Sequence, residues 1–394
     1  MLKKITAYFC FFFCCLSAAL SASTPLPDSI PPSSKKLRFF NVDLHISVIA
    51  DVKDIFESFG HEVVDWTLSG HSWVFDRPGD PVEVVNAGTW QSLNREMCNQ
   101  FYRRYADFLS QFDGFIVTYS GAFALLYEKL NKPIVIVNPT RYEVPFTRNQ
   151  NYWDSLDDYL REGVEKNKIF IVSNNKGDQF YLKHYTGIDH EHVPSLCLYT
   201  NQQYTGNRAG FIVQAIGNMT RTTMDRFKNK QLIQNANLPH RYKWNALYDF
   251  QGIIHYPYNV STMSLFEQYS ANIPLFFPSK KFIYQLKNEC SKDVLSSLSF
   301  VPYIHPNIPE DPNNVNDPKV VQRWVDSADF YDEENMPYIQ YFDSFEHLEH
   351  LLQTVNLREI SQKMKEHNVK RKVKVFKQWS DLLERVIQSR ENGP

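Results

Sequence analysis

The chain has 394 residues, 43% of them hydrophobic and 15% aromatic, enough to bury more than one core, so a two-lobed globular protein is expected. Its 42 basic and 44 acidic residues leave a formal net charge of -2, which excludes the global positive field that draws a protein to nucleic acid.

The first 23 residues run from Lys3 and Lys4 through an apolar stretch, Ile5 to Leu20, to the small residues Ser21, Ala22 and Ser23. That layout is a secretory leader, either cleaved as a signal peptide or retained as a signal anchor, and it implies export and membrane association through this segment. Residues 24–37 are rich in Pro and Ser and are expected to form a stem. Of the six cysteines, Cys10, Cys14 and Cys15 lie in the leader, and Cys98, Cys197 and Cys290 remain. Three thiols make one disulfide at most, so the core must carry the fold.

From residue 38 onward, short apolar runs alternate with segments of helical period, the pattern of βαβ units and parallel sheets. In "FFNVDLHISVIADVKDIFESFGHEVVDWTL", Ile49, Val52, Phe56 and Phe59 lie near helical spacing between two strands. Leu93, Met97, Phe101, Tyr105, Phe108 and Phe112 form one helical stripe. Two strands apolar on both faces follow, Phe115 to Thr118 and Ile134 to Val137, and a helix is expected between them. Residues 38–205 therefore read as an amino-terminal Rossmann-like lobe and residues 206–345 as a second, with a linker in Thr200 to Arg208. A helix is expected around Val320 to Phe330. Residues 346–394 are expected to be helical and to pack back on the lobes.

In open α/β sheets, ligands bind beyond the carboxyl ends of strands, where helix N-termini present free N–H groups. The stretch "GIIHYPYNVSTMSLFEQYSANIPLFFPS" (252–279) reads as strand, polar turn, helix and strand. Tyr258, Asn259, Ser261 and Thr262 stand at its turn, where a diphosphate can rest, and Glu267 stands a turn and a half into the helix, within reach of a ribose or else as a surface acid. Arg241 and Lys243 are candidate diphosphate cations, as are Arg221 and Lys228. In the first lobe Asp43 and His45 follow the first strand, and His45 is the candidate base because imidazole titrates near neutral pH. Ser120 and Gly121 follow the strand ending at Thr118, and Arg141 follows the next; these are candidate acceptor-side cleft residues. Asp189, His190, Glu191 and His192 are adjacent and point apart, which makes a poor metal cage.

The 252–279 stretch resembles the donor-binding strand-loop-helix-strand of GT-B glycosyltransferases. The resemblance implies two Rossmann-like lobes around a cleft, a nucleotide-sugar donor with its diphosphate on the helix N-terminus and its ribose on Glu267, and an acceptor that is a glycan, protein or lipid. It also implies catalysis without a metal or other cofactor, which fits the lack of any Asp-x-Asp in the chain. Retaining members carry a second glutamate eight positions earlier, and here that position is Asn259; inversion or retention stays open. A solute-binding protein and a nucleotide-sugar epimerase are the alternatives. The epimerase would need several acids and a His converging on the sugar.

Overall fold

The structure is a computed structural model that describes residues 24–227, 231–234, 237–238, 241–299, 308 and 310–391. The expected leader and Lys228 lie outside the described residues.

The first lobe is built on β1 (Arg38–Asp43), α1 (Ile46–Ser58), β2 (Glu62–Thr67), α2 (Arg95–Leu109), β3 (Gly114–Val117), β4 (Ile134–Asn138), α3 (Gln150–Glu165), β5 (Ile169–Ser173), α4 (Lys176–Thr186) and β6 (Glu191–His192). Its six strands pair in parallel in the order β2-β1-β3-β4-β5-β6. β3, β4 and β5 are buried along their whole length, as continuous apolar runs must be in a sheet covered on both faces.

The chain crosses to the second lobe through a 3-10 turn, Leu198–Thr200, flanked by Cys197 and Asn201 in left-handed backbone. The second lobe holds β7 (Arg208–Gln214), α5 (Gly217–Arg226), β8 (Leu232–Gln234), α6 (Trp244–Tyr248), β9 (Phe250–His255), α7 (Met263–Ser270), β10 (Leu275–Pro278), α8 (Lys280–Glu289), α9 (Pro318–Asp326), β11 (Gln340–Phe342) and α10 (Phe345–Thr354). Its five strands are also parallel, in the order β11-β10-β9-β7-β8. Two parallel sheets, each with helices, make this a two-lobed α/β protein of Rossmann-like lobes.

The last helix, α11 (Leu357–Glu391), joins the lobes along one side. Its first half meets the second lobe, where Asn368 donates to Tyr269 O at 2.9 Å and Arg371 to Ser270 Oγ at 3.2 Å. Its second half meets the first, where Trp379 packs on Phe56 and Gln378 donates to His192 O. A second clasp comes from the segment around α9. Trp324 covers the Arg141 guanidinium at 4.1 Å, Tyr185 donates to Asp311 at 2.6 Å, and Lys176 pairs with Asp332 at 2.8 Å.

Three local expectations are corrected. Residues 24–37 form no free stem: Ile30 and Leu37 are buried, Ser33 N donates to Phe59 O, and Ser34 reaches Glu384 of α11. The helix expected between β3 and β4 is two 3-10 turns, Gly121–Leu126 and Glu128–Leu130. Every residue of the first is buried, and Asn131 ends the second in left-handed backbone. The helix expected around Val320 to Phe330 stops at Asp326, and Asp329–Tyr331 forms a separate 3-10 turn. Asp317 caps α9 by accepting from Lys319 N, with Pro318 in the first turn.

Candidate functional site

A doubly wound sheet opens a crevice where neighbouring strands send their connections to opposite sides. In the first lobe that point lies between β1 and β3, and in the second between β7 and β9. Both face one cavity of about 1240 Å³ between the lobes. The first lobe contributes Leu44 to Ser47 after β1, Leu68 to His71 and Trp73 after β2, Tyr119 after β3, Thr140 after β4 and Asn174 after β5. The second contributes Arg241 to Trp244, the turn Tyr258, Asn259, Ser261 and Thr262, and Met263, Ser264 and Glu267 of α7.

The 258–262 turn is held from below. Asp329, fully buried, accepts from Ser261 and is held well above the usual carboxylate range, chiefly by burial, while its backbone N–H donates to Val260 O at 3.1 Å. Thr262 caps α7 by accepting from Leu265 N. Met263 and Ser264 of the first α7 turn line the cavity with Thr262, whose hydroxyl lies 3.1 Å from that of Ser264, and the first N–H groups of a helix have no partner within it. A recess of about 170 Å³ adjoins the turn, lined by Gln214 at the end of β7 and Ala215 and Ile216 after it, by His255 to Asn259, and by Phe277 and Phe330. His255 stacks on Phe277 at 4.4 Å, and Phe330 on Phe277 at 4.6 Å. Gln268 donates to Gln214 Oε1 at 2.8 Å.

On the facing wall, His45 stands at the N-cap position of α1. Burial lowers its pKa, and His71 nearby lowers it further, so the imidazole is neutral at neutral pH. Asp43 lies just behind the cavity wall, fully buried. Burial pushes its carboxyl up to about 7 against the opposing hydrogen bonds from the Thr67 hydroxyl and the His45 backbone N–H.

Glu267 lines the cavity and is held there by protein donors. Tyr199 Oη donates to its Oε1 at 2.5 Å and Trp244 Nε1 to its Oε2 at 3.1 Å, and the Ser47 hydroxyl also reaches it. Burial raises its pKa, and these hydrogen bonds oppose the rise. The rings of Phe75, Tyr199 and Trp244 stand within 5.8 Å of one another around it. Phe75 belongs to the first lobe, Tyr199 to the crossover and Trp244 to the second lobe, so Glu267 ties the back wall of the cleft together.

Lys243 and Arg241 line the cavity. Lys243 pairs across the lobes with Asp76 at 2.8 Å, and the Arg241 guanidinium lies 5.5 Å from the Trp73 ring. The three acceptor-side candidates are corrected. Ser120 is buried, caps the 3-10 turn through Ala122 N and donates to Val144 O. Gly121 packs so closely on Tyr142 that an added Cβ would lie 3.2 Å from its carbonyl oxygen. Arg141 is sealed in an ion pair with Asp178 at 3.0 Å under Trp324. Arg221 stands on the outer face of α5 beside Asp225, away from the cavity. Among the described residues no group of three or more His, Cys, Asp or Glu is placed to hold a metal ion; Asp189 and Glu191 pair instead with Lys183 and Arg385.

Sequence reasoning missed Ser47, His71, Tyr199 and Trp244. His71 follows the strand "VVDWT" and was reachable by asking what stands beyond every strand end. Tyr199 and Trp244 were not, because their common partner is 68 and 23 residues away.

No known family model matches the chain, and no curated protein matches it. Among solved structures, the chain is similar to the spinosyn forosaminyltransferase SpnP at 10% identity, over 88% of this chain and 99% of that one, with a TM-score of 0.43. It is similar to the glycosyltransferase SnogD from Streptomyces nogalater at 11% identity, over 87% and 99%, with a TM-score of 0.41. The glycotransferase of kitacinnamycin stands at 10% identity, over 91% and 100%, also with a TM-score of 0.41.

Proposed function

We propose that the protein is a glycosyltransferase that binds a nucleotide-sugar donor on the second lobe and transfers its sugar to an acceptor hydroxyl presented by the first. The observation that carries this reading is the convergence of two switch points on one cavity, with a helix N-terminus on one wall and the half-buried His45 on the other. The donor's diphosphate rests on the first turn of α7, against Ser261, Thr262, Ser264 and Asn259, where N–H groups and the helix dipole meet negative charge. Arg241 and Lys243 close over it and neutralise the leaving diphosphate, a role that elsewhere falls to a metal ion. The adjoining recess takes the base, between the Gln214–Gln268 amide pair and the apolar surface of Ile216 and Tyr258. Glu267 and its three aromatic neighbours set the depth of the pocket, so the ribose meets a wall built by Glu267 rather than Glu267 alone.

His45 Nε2 or Nδ1 takes the proton of the acceptor hydroxyl as the sugar is transferred. A lowered pKa keeps the base free of a proton at neutral pH, and a general base in this position is worth about 10² to 10⁴ in rate. The test is a thermal-shift panel of nucleoside diphosphates, nucleotide sugars and free sugars. A donor at a hundredfold excess over its Kd stabilises the protein by about 2.7 kcal/mol. A rise with nucleotide sugars and nucleoside diphosphates supports the reading; a rise with free sugars alone identifies a solute-binding protein and overturns it.

A further inference from the structure

The outer face of α11 carries a surface that the cleft does not use. Val369 and Val373, one helical turn apart, expose 63% and 36% of their area. Between residues 363 and 377 they stand among Lys363, Lys365, Lys370, Lys372, Lys374 and Lys377, with Glu366 as the single acid. Lys363, Lys374 and Lys377 pair with Glu359, Glu334 and Asp381, whereas Lys365 and Lys370 make no ion pair among the described residues. An isolated exposed valine is ordinary. Two in line on one helix face, flanked by the unpaired cations Lys365 and Lys370, have the composition of a surface that lies at a bilayer boundary, with apolar tips inward and lysine stems reaching the headgroups.

A second, independent observation is where the chain arrives. Lys372, which sits between the two valines in sequence, donates from Nζ to Pro25 O at 2.9 Å. Thr24 is pinned to α1, its N–H and hydroxyl donating to Asp54 at 3.1 and 2.6 Å. The apolar run Ile5 to Leu20 ends four residues before Thr24, a span of at most ~14 Å of extended chain. Residues 24–37 are packed down, so a bilayer that held that run would come within this span of Thr24, on the side of the molecule where Lys372 meets Pro25.

We propose that residues 363–377 of α11 form a membrane-facing surface that docks on anionic lipid headgroups through Lys365, Lys370 and their neighbours, with Val369 and Val373 entering the headgroup border. No helix among the described residues is long and apolar enough to cross a membrane, so this contact is peripheral and adds to whatever residues 1–23 supply. Each lysine near an anionic surface contributes about 1 kcal/mol, a factor of about five in partitioning.

The test is flotation of the full chain with vesicles of phosphatidylcholine alone and of phosphatidylcholine mixed with phosphatidylserine. The apolar leader binds both; the expected excess on anionic vesicles reports the surface. Lys365→Glu with Lys370→Glu is expected to cut that excess by about tenfold or more, and Val369→Asp with Val373→Asp to reduce it as well, with melting temperatures unchanged because all four side chains are at the surface. Lys3→Gln with Lys4→Gln is expected to leave the excess in place. Equal binding to both vesicles overturns the proposal, as it would if this face served a protein partner. So does an excess that survives the α11 changes and vanishes with the leader lysines.

Discussion

At the scale of single residues, Glu267 is where chemistry and architecture meet. A carboxylate within hydrogen-bond reach of a tyrosine hydroxyl, an indole N–H and a serine hydroxyl is satisfied by protein before any ligand arrives. Glu267→Ala leaves two half-buried donors, Tyr199 Oη and Trp244 Nε1, without this partner. Each costs about 1 to 3 kcal/mol, so a loss of roughly 2 to 6 kcal/mol in chemical denaturation is expected, together with weaker nucleotide-sugar binding measured well below the melting point. Glu267→Gln keeps an acceptor for one donor and costs less. Full stability in the alanine variant with donor affinity lost would restore the direct ribose grip expected from sequence.

At the scale of elements, the strands were legible and the clasps were not. A strand covered on both faces writes itself as an unbroken apolar run, which is why β3, β4 and β5 stand out in the sequence. The turn 258–262 and His45 were legible as residues of the cleft wall because position beyond a strand end is itself the signal. Direction is not. Ser120 and Arg141 also follow strand ends, but their side chains turn inward, to Val144 O and to Asp178, 24 and 37 residues away. Trp324 is the sharpest case, a tryptophan of α9 that closes the second lobe onto α4 and the Arg141 ion pair. Its indole donates to Pro312 O at 2.8 Å, and a Cβ added at Gly177 would lie 2.8 Å from its ring. Trp324→Ala is expected to cost about 3 to 5 kcal/mol, and Gly177→Ala about 1 to 3 kcal/mol by overpacking the same contact. Urea denaturation measures both. A loss under about 1 kcal/mol for Trp324→Ala would mean that α11 alone holds the lobes together.

At the scale of the whole molecule, burial sets two families of groups against each other. Burial pushes Asp43, Glu143 and Asp157 up to about 7 and Asp51 to about 6. It pulls His61 and His192 down to about 4 and His255 to about 3. Between about pH 4 and 7 the raised carboxyls bind more protons in the folded state than in the unfolded one, so their contribution to stability falls as pH rises. The depressed histidines do the reverse: below their ordinary value of 6.5 the unfolded state takes up the proton first, so stability falls as pH drops. Over the shared range the two families oppose one another, and a flat stability profile is expected from about pH 4.5 to 6.5. Above it the histidines no longer titrate in either state, and the remaining carboxyl ionisation lowers stability toward pH 8. Single substitutions separate the two halves. Asp43→Asn removes one buried ionisation, so its stability relative to the parent is expected to rise from pH 4 to pH 8, by up to about 4 kcal/mol for a shift of this size. His255→Gln removes one suppressed protonation, so its relative stability is expected to rise in the opposite direction, from pH 7 to pH 4. Chemical denaturation at each pH measures both slopes. If the Asp43→Asn difference were constant across the range, Asp43 would ionise as readily folded as unfolded, and the carboxyl behind His45 would stand there as an ordinary anion.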